Sequence, residues 1–375
     1  MSVYNICGNA VTPYDLNGNP CQAYDIYGNL LTCDYNVASS DYERIILSTR
    51  DAWIAEARAD ASIIPIVIHT DQHGRLTTNN SLFAYLSKAV PWTDTSACIG
   101  LGDVVDYSAT EFQKMVSCLS GIPKSKQINI WGNHDTWTPN WYTNTEVPTA
   151  EEVAVLNTYF DNSAYCGNVK YSQYGVESMI DAAKGVRYCV IAGWEYDLEL
   201  GGHSHYGISW DGMEAIIQML SVQDEYDIII LSHIQPFKNQ NSSTWIRPPV
   251  EQDSTSMTAS QPLVSATETS IDQLLIDRKN KASGTVKDSY GNLHSYDFTN
   301  CRTDVLCCFS GHDHFDKYMW QNENVPVYLF DAYCYDPHPI YFVNVDRTNR
   351  RMNIWKVDDS PTMYNYQIPF NKPTS

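Results

Sequence analysis

The stretch "INIWGNHD", Ile128 to Asp135, carries an apolar run straight into three polar side chains. Buried amides and carboxylates are costly unless something satisfies them. A strand that delivers Asn133, His134 and Asp135 to its own end therefore asks for a partner, and a metal ion would serve. The same grammar recurs on both sides. "IIPIVIH" (63–69) reads as a buried strand with "DQHG" as its exit loop, and apolar "ACIGL" from 97 runs into "GDVVD". Later, "VRYCVIAG" is a further strand, "YDIIILSH" ends at His233, and "DVLCCFSGHDH" ends at His312 and His314. Helical stretches are expected between them: from about 40 to 59, where Ser40 and Glu43 have capping-box spacing, then near 81–89, 110–120 and 210–221. The polar clusters thus stand at the carboxyl ends of successive strands, where open α/β sheets place their ligands.

Gathering those strand ends yields Asp71, His73, Asp103, Asp106, Asn133, His134, Asp135, His233, His312 and His314. Carboxylate, imidazole and amide donors form a mixed set suited to borderline divalent metals such as Mn, Fe, Zn or Co. There are too many donors for one ion. Seven side chains with one shared carboxylate would complete two adjacent sites and leave positions for water, an arrangement that serves hydrolysis of phosphate esters.

Composition narrows the partners. The chain has 375 residues, and 24 Lys and Arg against 44 Asp and Glu leave a net charge of -20. Such a surface repels nucleic acids and anionic membranes, so a phosphate-bearing substrate must be drawn in by local positive charge, which bound cations would supply. No bulk nucleic-acid binding and no membrane contact are expected. The first basic residue is Arg44, with no apolar signal-peptide core before it, and no stretch approaches bilayer-spanning length. The expectation is a soluble protein, cytoplasmic by default. Eleven cysteines, an odd count without CxxC pairing, read as reduced thiols, with Cys307 and Cys308 in the core.

Residues 1–39 differ from the remainder. "YNICGN" (4–9), "YDLNGN" (14–19) and "YDIYGN" (24–29) recur every ten residues, each a Tyr-x-aliphatic pair followed by a Gly-Asn turn signal. Three short strand-turn units are expected, and "SYGNLHSYD" at 289–297 is a cousin. Two readings fit this leader: an extended segment packed on the body, or an attachment module through which the chain assembles, for instance on a virion or a cell surface.

In order and type, D-x-H (71–73), G-D-x-x-D (102–106), G-N-H-D (132–135), an apolar strand ending in Ser232-His233, and G-H-x-H (311–314) resemble the five motifs of the calcineurin-like metallophosphoesterase superfamily. The match runs from about 63 to 345. The resemblance implies an α/β fold, a four-layer α/β/β/α sandwich, for a domain spanning 40–375. It implies that Asp71, His73 and His314 bind one divalent cation, that Asn133, His233 and His312 bind a second, and that Asp103 bridges them. A hydroxide between the cations would attack phosphorus. His134 would be the general acid facing the leaving group, Asp106 would stabilise its protonated form, and Asp135 would support the loop.

One branch is disfavoured. Ser/Thr protein phosphatases follow the second aspartate with an arginine and carry G-N-H-E, whereas here Tyr107 follows Asp106 and the fourth position is Asp135. The G-N-H-D form resembles phosphodiesterases, nucleotidases and small-molecule phosphatases, with a small phosphorylated substrate. Arg75 is the candidate replacement phosphate contact, or else a solvated loop residue. "GGHSH" (201–205) imitates the fifth motif but lacks a leading strand and reads as loop. His69 reads as core, and Trp137 and Trp141 as packing or pocket wall. The insertion at about 238–303, with a helical patch near 268–280, is a candidate lid over the metals or a surface elaboration. "VPVYLFDAYCY" and "PIYFVNVDRTNRRMNIWKV" read as closing strands of the second sheet. The rival to an enzyme is a structural or attachment protein whose repeats carry the function.

Overall fold

The computed structural model describes residues 3–4, 10–11, 41–75, 86–105, 109–135, 150–173, 175–191, 195–196, 206–234, 271–288, 291–312, 314, 316–321, 325–334, 339–357 and 364–370. In the leader, β1 (Val3–Tyr4) pairs antiparallel with β2 (Ala10–Val11), flanking the first Gly-Asn pair; the other two repeats lie outside the described residues.

Two sheets form the body. The first has six strands in the order β19-β18-β17-β3-β4-β5. Its centre is β3 (Ile63–His69), all seven residues buried, with β4 (Ala97–Gly100) and β5 (Gln127–Asn129) running parallel to it. Buried parallel strands carry continuous apolar runs rather than alternation, which is why "IIPIVIH" reads as it does. On the other flank β17 (Ile340–Asp346), β18 (Arg351–Val357) and β19 (Tyr364–Pro369) add antiparallel. This corrects one expectation: the carboxyl-terminal strands β17 and β18 return to the first sheet, with Phe342 opposite Val67, instead of closing the second.

The second sheet has seven strands in the order β15-β16-β14-β11-β8-β7-β6. They are β6 (Val169–Lys170), β7 (Val176–Asp181), β8 (Val186–Ile191), β11 (Asp227–Ser232), β14 (Val305–Ser310), β15 (Lys317–Gln321) and β16 (Val325–Leu329). Here β8, β11, β14 and β16 are parallel. Alternation along these strands builds two cores. Tyr188, Val190, Ile229, Leu231 and Phe309 face the first sheet, whereas Cys189, Ile191, Ile228, Ile230 and Cys308 face an outer helical layer.

Helices cover both sides. Helix Asp41–Ala59 packs on β3, β17 and β18 through Ile46, Trp53 and Ile54, and Trp53 Nε1 donates to the Val343 carbonyl at 3.0 Å. Helix Trp210–Leu220, capped by Ser209, packs on β7 and β8, and helix Ile271–Asn280 lies against β14. The chain is therefore a four-layer α/β/β/α sandwich.

The described part of the insertion, 271–303, belongs to the outer layer. Leu274 and Leu275 are buried there. Arg278, fully buried, donates to the carbonyls of Leu220 and Thr303 at 2.7 and 2.9 Å. Thr303 precedes β14, at the end opposite Ser310, so this portion does not overhang the polar strand ends. Residues 239–270 lie outside the described residues. The described part of the cousin motif, 291–297, supplies the second strand of the hairpin β12 (Ser283–Lys287) and β13 (Leu293–Asp297), with Gly291 at φ +84° before it.

Candidate metal centre

The exit loops of the two parallel strand sets converge and are stitched by backbone. After β3, Asp71 N donates to Gly102 O at 2.9 Å, His73 N to Asp103 O at 2.9 Å and Gly74 N to Val104 O at 3.0 Å. The third loop is held by Asp135, which accepts from the amides of Val104, Val105 and Gly132 at 2.9, 3.0 and 2.6 Å. Across the sheets, His233 Nδ1 lies 2.7 Å from Leu101 O and His312 N donates to Asp71 Oδ2 at 3.1 Å, while within the second sheet Gly311 N donates to His233 O at 3.0 Å.

Strain is concentrated on these loops. Asp71, His73, Asp103, His312 and His314 have φ of 53°, 43°, 52°, 71° and 56°. Left-handed backbone at non-glycine residues costs on the order of 1–3 kcal/mol each and persists where the surroundings over-determine it, commonly at functional sites. The motif glycines answer a related demand. A Cβ on Gly132 would stand 2.1 Å from Asp103 Oδ1, and one on Gly311 would stand 2.6 Å from Asp71 Oδ2. Only a bare Cα lets those carboxylates approach.

Two sets of donor atoms result, and they share a residue. Asp71, His73, Asp103 and His314 each offer an atom within 4.8 Å of the others, and Asp103, His233 and His312 do the same. His73 Nε2 and His314 Nε2 face each other at 3.2 Å, close to the edge that two nitrogens span on a cation with bonds of about 2.1 Å. A carbonyl can only accept, so His233 Nδ1 carries the hydrogen toward Leu101 O and leaves Nε2 to the centre. Asp103 Oδ2 is buried and lies 3.1 Å from His233 Nε2, from which it accepts only when that nitrogen is protonated, and 3.7 Å from His73 Nε2. A buried carboxylate oxygen between two sets of imidazoles fits divalent metal, with Asp103 common to both sets.

The charges are interdependent. Burial works to raise the Asp103 carboxyl, but the charges of His233, His134 and His73 hold it well below the usual range. Burial opposes the His233 proton, yet Asp103 and Asp71 push this histidine up to about 9. Burial and the charge of His233 push His312 down to about 3. Asp135 rises to about 8 through burial and the nearby Asp103 charge, against its amide bonds.

The remaining candidates divide cleanly. His134 is half-buried, its ring edge-on to His73 with centroids 4.4 Å apart, and its amide donates to Asp103 Oδ1 at 2.8 Å. Asn133 opens the 3₁₀ turn Asn133–Asp135, but its side chain lies outside the description. Asp106, Trp137, Trp141, His203 and His205 also lie outside the described residues. Arg75 is exposed beside the first loop. His69 is buried with Nδ1 2.8 Å from Gln72 Nε2, as a core histidine should be. The eight described cysteines are unbridged, and Cys307 and Cys308 are buried.

Cys334 went unnoticed in the sequence. Its ligand atom stands within 4.8 Å of those of His73 and His314, and its amide donates to Asp71 O at 2.9 Å. It follows the apolar run "VPVYLF", but a single thiol there carries no motif spacing.

No family model matches the chain, and no curated protein matches it. Among solved structures, the chain is similar to a dimetal phosphatase from Danio rerio, with 10% identity over 82% of this chain and 99% of that one, and TM-score 0.41. It is also similar to a protein serine/threonine phosphatase from Saccharomyces cerevisiae, at 12% identity over 89% and 90%, with TM-score 0.31. A 5'-nucleotidase from Candida albicans matches at 12% identity over 82% of this chain and 52% of that one, with TM-score 0.33.

Proposed function

We propose that this chain is a dinuclear metal-dependent hydrolase of phosphate esters, acting on diesters or small monoesters. The observation that carries the reading is that two donor sets at converging strand ends share Asp103. Asp71, His73, His314 and Asp103 would hold one divalent cation, and His233, His312, Asn133 and Asp103 the other. When bound, such a pair activates water and neutralises charge building on the non-bridging phosphate oxygens.

The chain's own residues supply the remainder. Asp103 Oδ1 accepts the His134 amide, so the side chain that would contribute to both cation positions also sets the place of His134. His134 hands a proton to the departing alkoxide from Nδ1 or Nε2, and Asp106 steadies its charged form. Asp135 clamps the second and third loops together. Arg75, exposed at the rim, would meet a phosphate oxygen. A net charge of -20 favours a small substrate over a polyanion, because short-range cations can offset the repulsion of one phosphate but not of many. The G-N-H-D form and Tyr107 support esters other than phosphoproteins. Among the described residues no helix is long and apolar enough to cross a membrane.

Purified protein with Mn²⁺, Zn²⁺ or Co²⁺, assayed on a chromogenic monoester and the matching diester, tests the proposal. Turnover that needs metal and is abolished by Asp103→Asn is expected. Absence of turnover with every divalent cation and both esters would return the function to the amino-terminal repeats.

A further inference from the structure

Tyr333 N donates to Thr70 O at 3.0 Å and Cys334 N to Asp71 O at 2.9 Å, so residues 333–334 run alongside the first exit loop. That pairing fixes Cys334, half-buried, where its Sγ and one ring nitrogen each of His73 and His314 lie within 4.8 Å of one another. The same two imidazoles complete the donor set with Asp71 and Asp103. A further sign that positive charge belongs there is Asp103 Oδ2, 1% exposed as a residue, which lies 3.7 Å from His73 Nε2 and 3.1 Å from His233 Nε2, between the two donor sets.

We propose that Cys334 offers a sulfur ligand to the cation position that His73 and His314 share, as a donor set with those two imidazoles alongside the set they form with Asp71 and Asp103, so that the two metal positions differ in chemical preference. The inference rests on the dinuclear reading above. A metal–sulfur bond forms as the thiol proton leaves to water, and nothing is oxidised or reduced. Thiolate is a soft donor that favours Zn²⁺, Co²⁺ or Fe²⁺, whereas carboxylate, carbonyl and water suit Mn²⁺ and Mg²⁺. The other described set, Asp103, His233 and His312, has no sulfur. The centre would therefore favour a softer ion on the Cys334 side than its imidazoles and carboxylates alone would select.

The test is cobalt loading of the full chain with absorption read in the near ultraviolet, where thiolate-to-cobalt charge transfer appears, and with metal content measured in parallel. Wild-type protein should show the band. C334S should lose it while keeping its cobalt content at high metal, and its Zn²⁺ affinity at that position should fall at least about tenfold, with Mn²⁺ affected less. Should C334S not fold, wild-type protein decides: bound cobalt must shield Cys334 from alkylation, read by peptide mass. Cobalt bound without the band or the shielding overturns this inference and leaves the dinuclear reading standing. No cobalt bound overturns both.

Discussion

Raising pH should tighten metal binding on the His233 side, because the Asp103 and Asp71 charges favour a proton on the atom a cation would take. His233 sits at about 9 while its Nδ1 hydrogen is committed to Leu101 O, so the titrating proton is the one on Nε2, the atom a cation needs. At about pH 7 the histidine is roughly two units below its midpoint, and removing the proton costs about 3 kcal/mol, or roughly a hundredfold in affinity. His312, pushed down to about 3, is already neutral and adds no such competition. Affinity should rise about tenfold per pH unit from about 6.5 to about 9 and then level off. The sign for folding is opposite. A histidine raised from 6.5 to about 9 lends the metal-free fold stability that is complete below 6.5 and is lost as pH rises through about 9. Metal-free protein should therefore melt lower at about pH 9 than at about pH 7, while the metal-loaded protein gains. Calorimetric titration with Mn²⁺ in buffers of different ionisation enthalpy reads both the affinity and the proton released. Affinity that does not change across that range, with no proton released, would refute the reasoning.

Gly132→Ala should abolish metal binding without unfolding the sheets, since its Cβ would fall 2.1 Å from Asp103 Oδ1; metal analysis and circular dichroism check this together. Asp103→Asn should lose both metal and turnover, whereas His134→Asn should keep metal and lose about 10²- to 10⁴-fold in kcat; equal metal depletion in the two would contradict their separate roles. Asp135→Asn places an amide NH₂ where backbone N–H groups point, and should lower stability by about 1–3 kcal/mol in a denaturant titration. Arg278→Ala, far from the strand ends, should destabilise by about 3 kcal/mol by orphaning the Leu220 and Thr303 carbonyls, with kcat of the folded fraction unchanged.

Much of the sandwich is legible because buried parallel strands announce themselves. β3, β4, β11 and β14 are unbroken apolar runs, and each changes abruptly to Asp, His or Gly where it leaves the core. The glycines before Asn133 and His312 mark where backbone must meet a carboxylate, and the one before Asp103 where it meets the His233 ring and the Gly132 backbone. Sheet membership was not legible. The runs in β17 and β18 state only that both are buried, and which sheet they join depends on the long-range pairing of Phe342 with Val67. The placement of 271–303 was missed because its ends, not its buried face, were used to locate it; Leu274, Leu275 and Arg278 bind it to the outer layer. Cys334 escaped since a single thiol in an aromatic segment carries no spacing signal. It becomes visible only when Thr70 and Asp71 are seen hydrogen-bonded to 333–334.

The central claim is that Asp103 is shared by two cations. Anomalous diffraction from crystals grown with Mn²⁺ and Zn²⁺, recorded at each metal's edge, tests it most directly. The account predicts two peaks flanking Asp103, one against Asp71, His73 and His314, the other against His233 and His312. A single peak, or peaks remote from that carboxylate, would contradict it.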